Sequence, residues 1–134
     1  MGHRPPVLLV EDEVLAAEYL VSELEDAGYQ VLHALNGSDA ITILNGHFAD
    51  LKAILTDVRL GLGPSGWDVA RAARQKAPYI PVVYTTAESP DDWAAYGVPN
   101  SLLVTKPFAA SQLIIAIGQL ITDLDSHPSP DRTR

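Results

Sequence analysis

Four short apolar runs along the chain each end in charged or hydroxyl side chains. Parallel strands covered by helices are buried on both faces, so they read as continuous runs of Val, Ile and Leu. Ligands of such sheets bind outside the carboxyl ends of the strands. We therefore predict that the polar residues at these four ends share one crevice. They are Glu11 and Asp12 after residues 7–10, Asp57 after residues 53–55, Thr86 after residues 82–84, and Lys106 after residues 102–104.

The order of patterns along the chain predicts an α/β fold. Strands are expected at about residues 6–10, 30–34, 52–56, 81–86 and 101–105. Helical spacing of apolar residues, with start and stop signals, predicts helices between and after them. These helices are expected at about residues 17–27, 36–47, 67–76, 91–96 and 108–124. Five strands alternating with five helices favour one sheet with right-handed crossovers.

The composition limits the class of protein. A chain of 134 residues that is 47% apolar fits one globular domain, expected at residues 5–124, with a polar, proline-rich disordered tail at 125–134. The chain contains no cysteine, which excludes disulfides and thiolate metal sites. No apolar run approaches membrane-spanning length, so we expect a cytoplasmic protein without a membrane partner. A formal charge of -8 argues against nucleic-acid binding.

The predicted crevice carries residues suited to phosphoryl transfer. Carboxylates at Glu11, Asp12 and Asp57 would repel one another, and a hard cation such as Mg²⁺ would remove that cost. Asp57 stands alone at its strand end and is the candidate nucleophile for an acyl phosphate. Lys106 would neutralise phosphoryl charge, and the Thr86 hydroxyl would hydrogen-bond a phosphoryl oxygen.

Each of these residues also has a purely structural interpretation. An acidic pair after a strand can stabilise the first turn of a helix. A single Asp or Thr at a strand end often caps a turn, and a single Lys is usually a solvated charge. The occurrence of the whole set at four strand ends, in this order, favours the chemical interpretation.

From about Val7 to Leu124 the chain resembles the receiver domain of bacterial two-component response regulators. The stretches that carry the resemblance are residues 7–13, 54–60, 81–87 and 106–108. The resemblance implies a doubly wound, flavodoxin-like parallel sheet in the strand order 2-1-3-4-5. It also implies phosphoryl transfer from a phosphohistidine on a sensor histidine kinase or a phosphotransfer protein.

The resemblance further assigns roles to the crevice residues. It makes Asp57 the phosphoacceptor, Thr86 the switch hydroxyl and Lys106 the partner of the phosphoryl group. The implied Mg²⁺ ligands are Glu11, Asp12, Asp57 and the main-chain carbonyl of Arg59. One position departs from the family pattern: most receivers have an aromatic residue three positions before the lysine, and this chain has Leu103.

Two further pairs of residues suggest regulation. Arg59 lies two residues after Asp57, and Glu88 lies two residues after Thr86, so the two charges could meet and set the lifetime of an acyl phosphate. On the last predicted helix, Ile114 and Ile115 extend the apolar surface beyond one buried face and suggest a partner surface or a homodimer.

The expected function is therefore that of a single-domain, non-enzymatic receiver that signals through a phosphorylation-dependent contact with a downstream protein. A phosphate sink, or an adaptor that binds its kinase regardless of phosphorylation, uses the same fold and stays open. A phosphatase of the haloacid dehalogenase type is a remote alternative, because those enzymes carry an Asp-x-Asp motif in the first strand. Here the acidic pair comes first, and Arg59 stands where the second Asp of such a motif would follow Asp57.

Overall fold

The structure is a computed structural model that describes residues 4–88 and 90–126. Its elements alternate between strands and helices along the whole described chain, as the sequence predicts. In chain order they are β1 (Pro6–Val10), α1 (Val14–Asp26), β2 (Gln30–Ala34), α2 (Gly37–His47), β3 (Ala53–Asp57), α3 (Gly66–Lys76), β4 (Val82–Thr86), α4 (Asp91–Tyr96), β5 (Ser101–Thr105) and α5 (Ala110–Ser126).

All neighbouring strands pair in parallel, in the order β2-β1-β3-β4-β5. This confirms the predicted doubly wound order. The three inner strands, β1, β3 and β4, are buried along their whole length because helices cover both faces of the sheet.

The core lies in two layers, one on each face of the sheet. On one face α1 and α5 contribute Leu20, Leu24, Leu113 and Ile117. On the other face α2 and α3 contribute side chains such as Leu44 and Val69, with Trp93 of α4 packed against them. Crossovers that alternate between faces leave the carboxyl ends of the central strands uncovered, so side chains at that edge remain available for chemistry.

Local signals explain where the helices begin. The Asn36 side chain accepts a hydrogen bond from the Asp39 N–H and caps α2. Ser65 and Asp68 form a reciprocal capping box at the start of α3. Predicted strand bounds agree with the observed ones to within a residue, and α3 begins at Gly66, one residue before its predicted start.

The end of the last helix corrects one prediction. Helix α5 continues through Ser126, so Asp125 and Ser126 are helical, although we assigned them to a disordered tail. Both residues precede Pro128, the first proline after the helix, so no local stop signal excludes them. The rest of the predicted tail, residues 127–134, lies outside the described residues. Among the described helices, none has the length and apolarity needed to cross a bilayer.

Candidate functional site

Asp57 and Lys106 meet at the carboxyl edge of the sheet. The Lys106 ammonium donates a hydrogen bond to Asp57 Oδ2 at 2.9 Å and lies 3.8 Å from Glu11 Oε1. The Lys106 N–H also donates to the Thr86 carbonyl at 2.7 Å, and the peptide bond to Pro107 is cis. The lysine is thus anchored by its main chain to β4 while its side chain spans the strand ends to reach β3 and β1.

Glu11, Asp12 and Asp57 form an acidic cluster beside Lys106. Each contributes one carboxylate oxygen to a set in which all three atoms lie within 4.8 Å of one another. Glu11 and Asp57 are buried, with 3% and 8% of their surface exposed, and Asp12 is exposed. Three oxygen ligands open to solvent on one side suit Mg²⁺, which keeps part of its water shell. The cluster therefore fits the predicted cation.

Burial and neighbouring charges shift the pKa values of Glu11 and Lys106 in the crevice. Burial raises the pKa of Glu11 above its usual 4.5, although the Glu13 N–H and the Lys106 charge work in the opposite direction. Burial disfavours the charged form of Lys106, but the hydrogen bond to Asp57 and the surrounding carboxylates outweigh it, so the pKa of Lys106 is raised above 10.5. Lys106 is therefore a permanent cation at neutral pH, and Glu11 is an acid whose ionised form needs a partner.

Gly66 determines how the chain leaves Asp57. The Gly66 N–H donates to the Val58 carbonyl at 2.8 Å, which folds the loop after β3 back onto the strand. A Cβ atom at Gly66 would overlap the main-chain carbonyl of Asp57, so only glycine permits this approach. The sequence analysis missed this residue, although its position at the end of a glycine-rich loop before a helix was visible.

Thr86 and Glu88 are joined at the end of β4. Thr86 is buried, and its hydroxyl accepts a hydrogen bond from the Glu88 N–H at 3.1 Å. In the sheet, Asp57 lies opposite Thr85, and the Val58 N–H donates to the Thr85 carbonyl. Thr86 is therefore carried on the strand that pairs directly with the end of β3.

Arg59 and Glu88 meet as an ion pair across the loops that follow β3 and β4. Arg59 Nε lies 2.6 Å from Glu88 Oε2, and Nη2 donates to Oε1 at 3.0 Å. Both side chains are exposed to solvent, at 75% for Arg59 and 48% for Glu88. The contact itself agrees with the sequence hypothesis.

An aromatic group on β4 faces the position of the missing aromatic on β5. Leu103 is half-buried and lies opposite Tyr84 in the sheet. Tyr84 is fully buried, packs against the tilted Trp67 ring at 4.6 Å between ring centroids, and accepts a hydrogen bond from the Val98 N–H. Burial raises the pKa of the Tyr84 phenol, so it remains neutral. The sequence analysis treated Tyr84 only as a strand residue and missed its contacts with Trp67 and Val98.

A histidine on the edge strand supports the acidic cluster. His33 of β2 forms a hydrogen bond from Nε2 to the Glu11 carbonyl oxygen at 2.9 Å. Since the carbonyl can only accept, the Nε2 atom carries the proton. No spacing rule links residues 33 and 11, so the sequence alone offered no signal for this contact.

The two isoleucines proposed as a partner surface differ in their packing. Ile115 is 67% exposed, whereas Ile114 is half-buried and packs against the core on the α1 and α5 face of the sheet. The proposed surface is therefore reduced to Ile115, because helical rotation turns Ile114 toward the neighbouring core residues.

The chain therefore has a doubly wound, flavodoxin-like parallel sheet with an acidic cluster and a lysine at its carboxyl edge. The family model for the response regulator receiver domain matches residues 7–118. The chain therefore belongs to the response regulator receiver family, as the resemblance predicted.

Two solved structures are similar over nearly the whole chain. A response regulator receiver protein from Sinorhizobium medicae WSM419 is 38% identical, with a TM-score of 0.86, and the match covers 90% of this chain and 96% of that one. The chemotaxis protein CheY4 from Vibrio cholerae is 25% identical, with a TM-score of 0.76, and the match covers 88% and 99% of the two chains.

Curated relatives are longer. A protein described as the probable transcriptional regulatory protein SilR of Salmonella typhimurium is 30% identical over 86% of this chain and 50% of its own length. The response regulator SaeR of Staphylococcus aureus is 24% identical over 90% of this chain and 52% of its own. The chain thus spans about half the length of these curated relatives.

Proposed function

We propose that this receiver accepts a phosphoryl group on Asp57 and signals through a phosphorylation-dependent contact with a downstream protein. The observation that carries the proposal is the 2.9 Å contact between Lys106 and Asp57 beside the acidic cluster. The proposed donor is a phosphohistidine on a sensor histidine kinase or a phosphotransfer protein, and the expected location is the cytoplasm. Beyond its own phosphorylation and dephosphorylation, we propose no enzymatic activity.

The proposed reaction moves one phosphoryl group between two side chains. An Asp57 carboxylate oxygen attacks phosphorus, the P–N bond to the donor imidazole breaks, and the imidazole nitrogen keeps that bond's electron pair. Lys106 neutralises charge on the transferred group, and the Thr86 hydroxyl donates a hydrogen bond to one of its oxygens. Glu11, Asp12, Asp57 and the Arg59 carbonyl would hold Mg²⁺, which supplies charge neutralisation when bound.

An exposed apolar patch beside the crevice supports docking of a phosphodonor protein. Val14, Leu15 and Tyr19 on α1 are 56%, 77% and 53% exposed. Helix α1 begins two residues after Asp12, so the patch borders the acidic cluster. Apolar surface next to a reactive carboxylate would allow a donor protein to bind and present its phosphohistidine at the same time.

The direct test is intact-mass spectrometry after incubation with acetyl phosphate and Mg²⁺. We expect one phosphoryl adduct on the wild type, none on Asp57→Asn and none in the presence of EDTA. Asp39→Asn is the matched control, because Asp39 lies in the first turn of α2 and has no place in the crevice. A beryllofluoride complex, followed by ¹⁹F NMR, covers an acyl phosphate too short-lived for mass analysis. Absence of both the adduct and the beryllofluoride complex would contradict the proposal.

The Arg59 and Glu88 side chains are proposed to slow hydrolysis of the acyl phosphate by restricting the attacking water near the phosphoryl group. An exposed charge contact of such a side chain is worth at most about 1 kcal/mol, which corresponds to about fivefold in rate. We therefore expect the Arg59→Ala, Glu88→Ala double variant to lose its phosphoryl group up to about fivefold faster in a stopped autodephosphorylation assay. An unchanged rate would show that the pair has no part in the lifetime.

Leu103 favours a second candidate function. In most receivers an aromatic side chain at this position moves together with the switch hydroxyl, here that of Thr86. Leu103 is not aromatic, so this chain lacks the side chain that makes that movement. A phosphate sink, or an adaptor that binds its kinase in either state, needs no such movement. Pull-down from the native extract with wild type and Asp57→Ala separates the two roles. A partner lost in the variant supports the switch, whereas equal capture supports the adaptor.

A further inference from the structure

A cavity of about 350 Å³ lies next to the phosphoacceptor, between the loop after β3 and the start of α4. Its lining includes Leu60, Trp67, Arg59, Glu88 and Asp92. The indole and Leu60 provide apolar surface, and the two carboxylates provide negative charge. Neither Trp67 nor Asp92 has a role in the proposed phosphoryl transfer, so their part of the cavity is not used by this chemistry.

The Arg59 guanidinium is already paired with one of the two carboxylates that line this cavity, that of Glu88. Arg59 holds Glu88 through two of its nitrogens, at 2.6 Å and 3.0 Å. This two-pronged geometry matches the planar fork of an arginine to a carboxylate. An internal arginine therefore identifies the chemistry that the Glu88 carboxylate accepts. The half-buried Trp67 indole, which packs against Tyr84 and Tyr96, also lines the cavity and provides an aromatic group for a cation–π contact.

We propose that phosphorylation of Asp57 converts this cavity into a binding site for an arginine side chain of a partner protein. Arg59 leaves Glu88 for the phosphoryl group, and the partner's guanidinium takes its place between Glu88, Asp92 and Trp67. The inference rests on the proposed phosphorylation of Asp57 and specifies how a partner protein would recognise the phosphorylated state.

The exchange follows from the relative strength of the two ion pairs. Arg59 and Glu88 are both exposed, so their pair is weak and easily broken. A phosphoryl group brings about 1.5 to 2 negative charges and three acceptor oxygens, which makes it the stronger partner for a guanidinium. Arg59 lies only two residues after Asp57, which places its main chain beside the modified carboxylate.

A second link loosens Glu88 at the same time. The Glu88 N–H donates to the Thr86 hydroxyl oxygen. If that hydroxyl turns to a phosphoryl oxygen, its lone pair no longer faces the same N–H. Phosphorylation would therefore release both the main chain and the side chain of Glu88. The bonds from Trp93 to Ser101 and from Val98 to Tyr84 would still hold the middle of α4 and the chain just after it.

Charge complementarity selects an arginine-bearing partner. The chain carries a formal charge of -8, so a basic partner is attracted at long range. A lysine would satisfy the charge, but it lacks the planar group that pairs with Glu88 through two nitrogens. The site therefore prefers arginine over lysine.

The test uses NMR of ¹⁵N-labelled protein with Nα-acetyl-arginine methylamide as the probe. The citrulline analogue has nearly the same shape without the charge, and serves as the matched ligand control. In Arg59→Ala without beryllofluoride, we expect saturable shifts of the Trp67 indole N–H and the Glu88 amide, with binding up to about fivefold tighter than to the unmodified wild type, because the internal competitor is gone. Equal binding of citrulline, or no gain over the wild type, would overturn the site.

The wild type with Mg²⁺ and beryllofluoride tests the exchange itself. We expect it to bind the arginine probe about as tightly as Arg59→Ala does. If the beryllofluoride complex forms but the affinity stays at the unmodified level, the exchange is wrong. If the complex does not form, the proposed function fails, and the Arg59→Ala comparison still decides whether the cavity binds arginine.

Two variants establish where the probe binds. Glu88→Gln in the Arg59→Ala background removes the charge with little change of shape, and we expect it to abolish the preference for arginine over citrulline. Arg4→Ala is the control for loss of one positive charge, because Arg4 is an exposed arginine that does not line the cavity. A similar gain in affinity from Arg4→Ala would overturn the assignment to Glu88.

Discussion

At the scale of single residues, burial of the Glu11 carboxylate destabilises its charged form, and a bound cation would offset that cost. Glu11 is 3% exposed, and its carboxylate lies 3.8 Å from the Lys106 ammonium, which makes its shorter contact with Asp57. Burial therefore raises the pKa of Glu11 despite that positive charge. A carboxyl group with a raised pKa binds its proton more tightly in the folded chain, so its ionisation lowers stability as the pH rises through the folded pKa.

Glu11→Gln should stabilise the protein in the absence of Mg²⁺ at pH 7.5, because it removes a buried charge without changing shape. The gain should shrink as the pH is lowered through the raised pKa of Glu11 toward its usual 4.5, where Glu11 itself becomes neutral. Urea unfolding at a series of pH values measures the difference.

The same variant should respond less than the wild type to added Mg²⁺, because it lacks one carboxylate ligand. Glu18→Gln, at an exposed position of α1, is the control for loss of one negative charge. It should change neither the pH profile nor the Mg²⁺ response. A Glu11→Gln protein that is less stable than the wild type at pH 7.5 would show that the Lys106 contact outweighs the cost of burial.

At the level of elements, the start of α3 and the end of β3 are built as one unit. The capping box of Ser65 and Asp68 begins the helix, and Gly66 lets its first turn press against the Asp57 carbonyl. The orientation of Asp57 therefore depends on a helix that contributes no side chain to the acidic cluster.

Gly66→Ala should destabilise the protein by about 1–3 kcal/mol, because the new Cβ forces the Asp57 main chain to move. It should also slow phosphorylation by acetyl phosphate. Gly118→Ala is the matched substitution, because a Cβ at Gly118 meets nothing within 4 Å and the residue lies inside α5.

In that open helical position the same change should stabilise by about 0.5–1 kcal/mol. Urea midpoints for the two variants test the contrast. Equal effects of the two substitutions would mean that the loop after β3 adjusts freely around Gly66.

Hydrogen bonds tie the middle and the C-terminal end of helix α4 to neighbouring elements. The Arg71 guanidinium donates to the Tyr96 carbonyl, and the Trp93 indole donates to Ser101. The Val98 N–H, just beyond the helix, donates to the buried Tyr84 hydroxyl. These bonds tie α4 to α3, β4 and β5.

For the whole molecule, net negative charge and the acidic cluster respond differently to salt. The formal charge of -8 is spread over the chain, and any salt screens it. A divalent cation bound at the carboxyl edge of the sheet would stabilise the folded state through mass action in addition to screening.

MgCl₂ should therefore raise the melting temperature more than NaCl does at matched ionic strength. At a Mg²⁺ concentration about ten times its dissociation constant, binding contributes about 1.4 kcal/mol, which corresponds to about 3–6 °C for a domain of this size. Differential scanning calorimetry measures both salts. Asp12→Asn should lose the excess and keep the general salt response, whereas an excess that survives in this variant would contradict a site at Asp12.

The sequence by itself determined the order of strands and helices and the position of the crevice. Apolar runs and helical spacing are local patterns, and parallel topology brings strand ends such as Asp57 and Lys106 to one edge whatever the details of packing. The tertiary structure decided the contacts between residues that no spacing rule connects. His33 reaches the Glu11 carbonyl across 22 positions, and Tyr84 receives the Val98 N–H across 14.

The same distinction applies to the surface. Periodicity placed Ile114 and Ile115 side by side, but only packing against α1 and the sheet separates the half-buried residue from the exposed one. The sequence suggested that Arg59 and Glu88 could meet, whereas the cavity beside them arises from the way the loops after β3 and β4 approach α3. Short sequence patterns indicate which residues can take part in the chemistry of a site, but the space between elements depends on side chains from several of them at once.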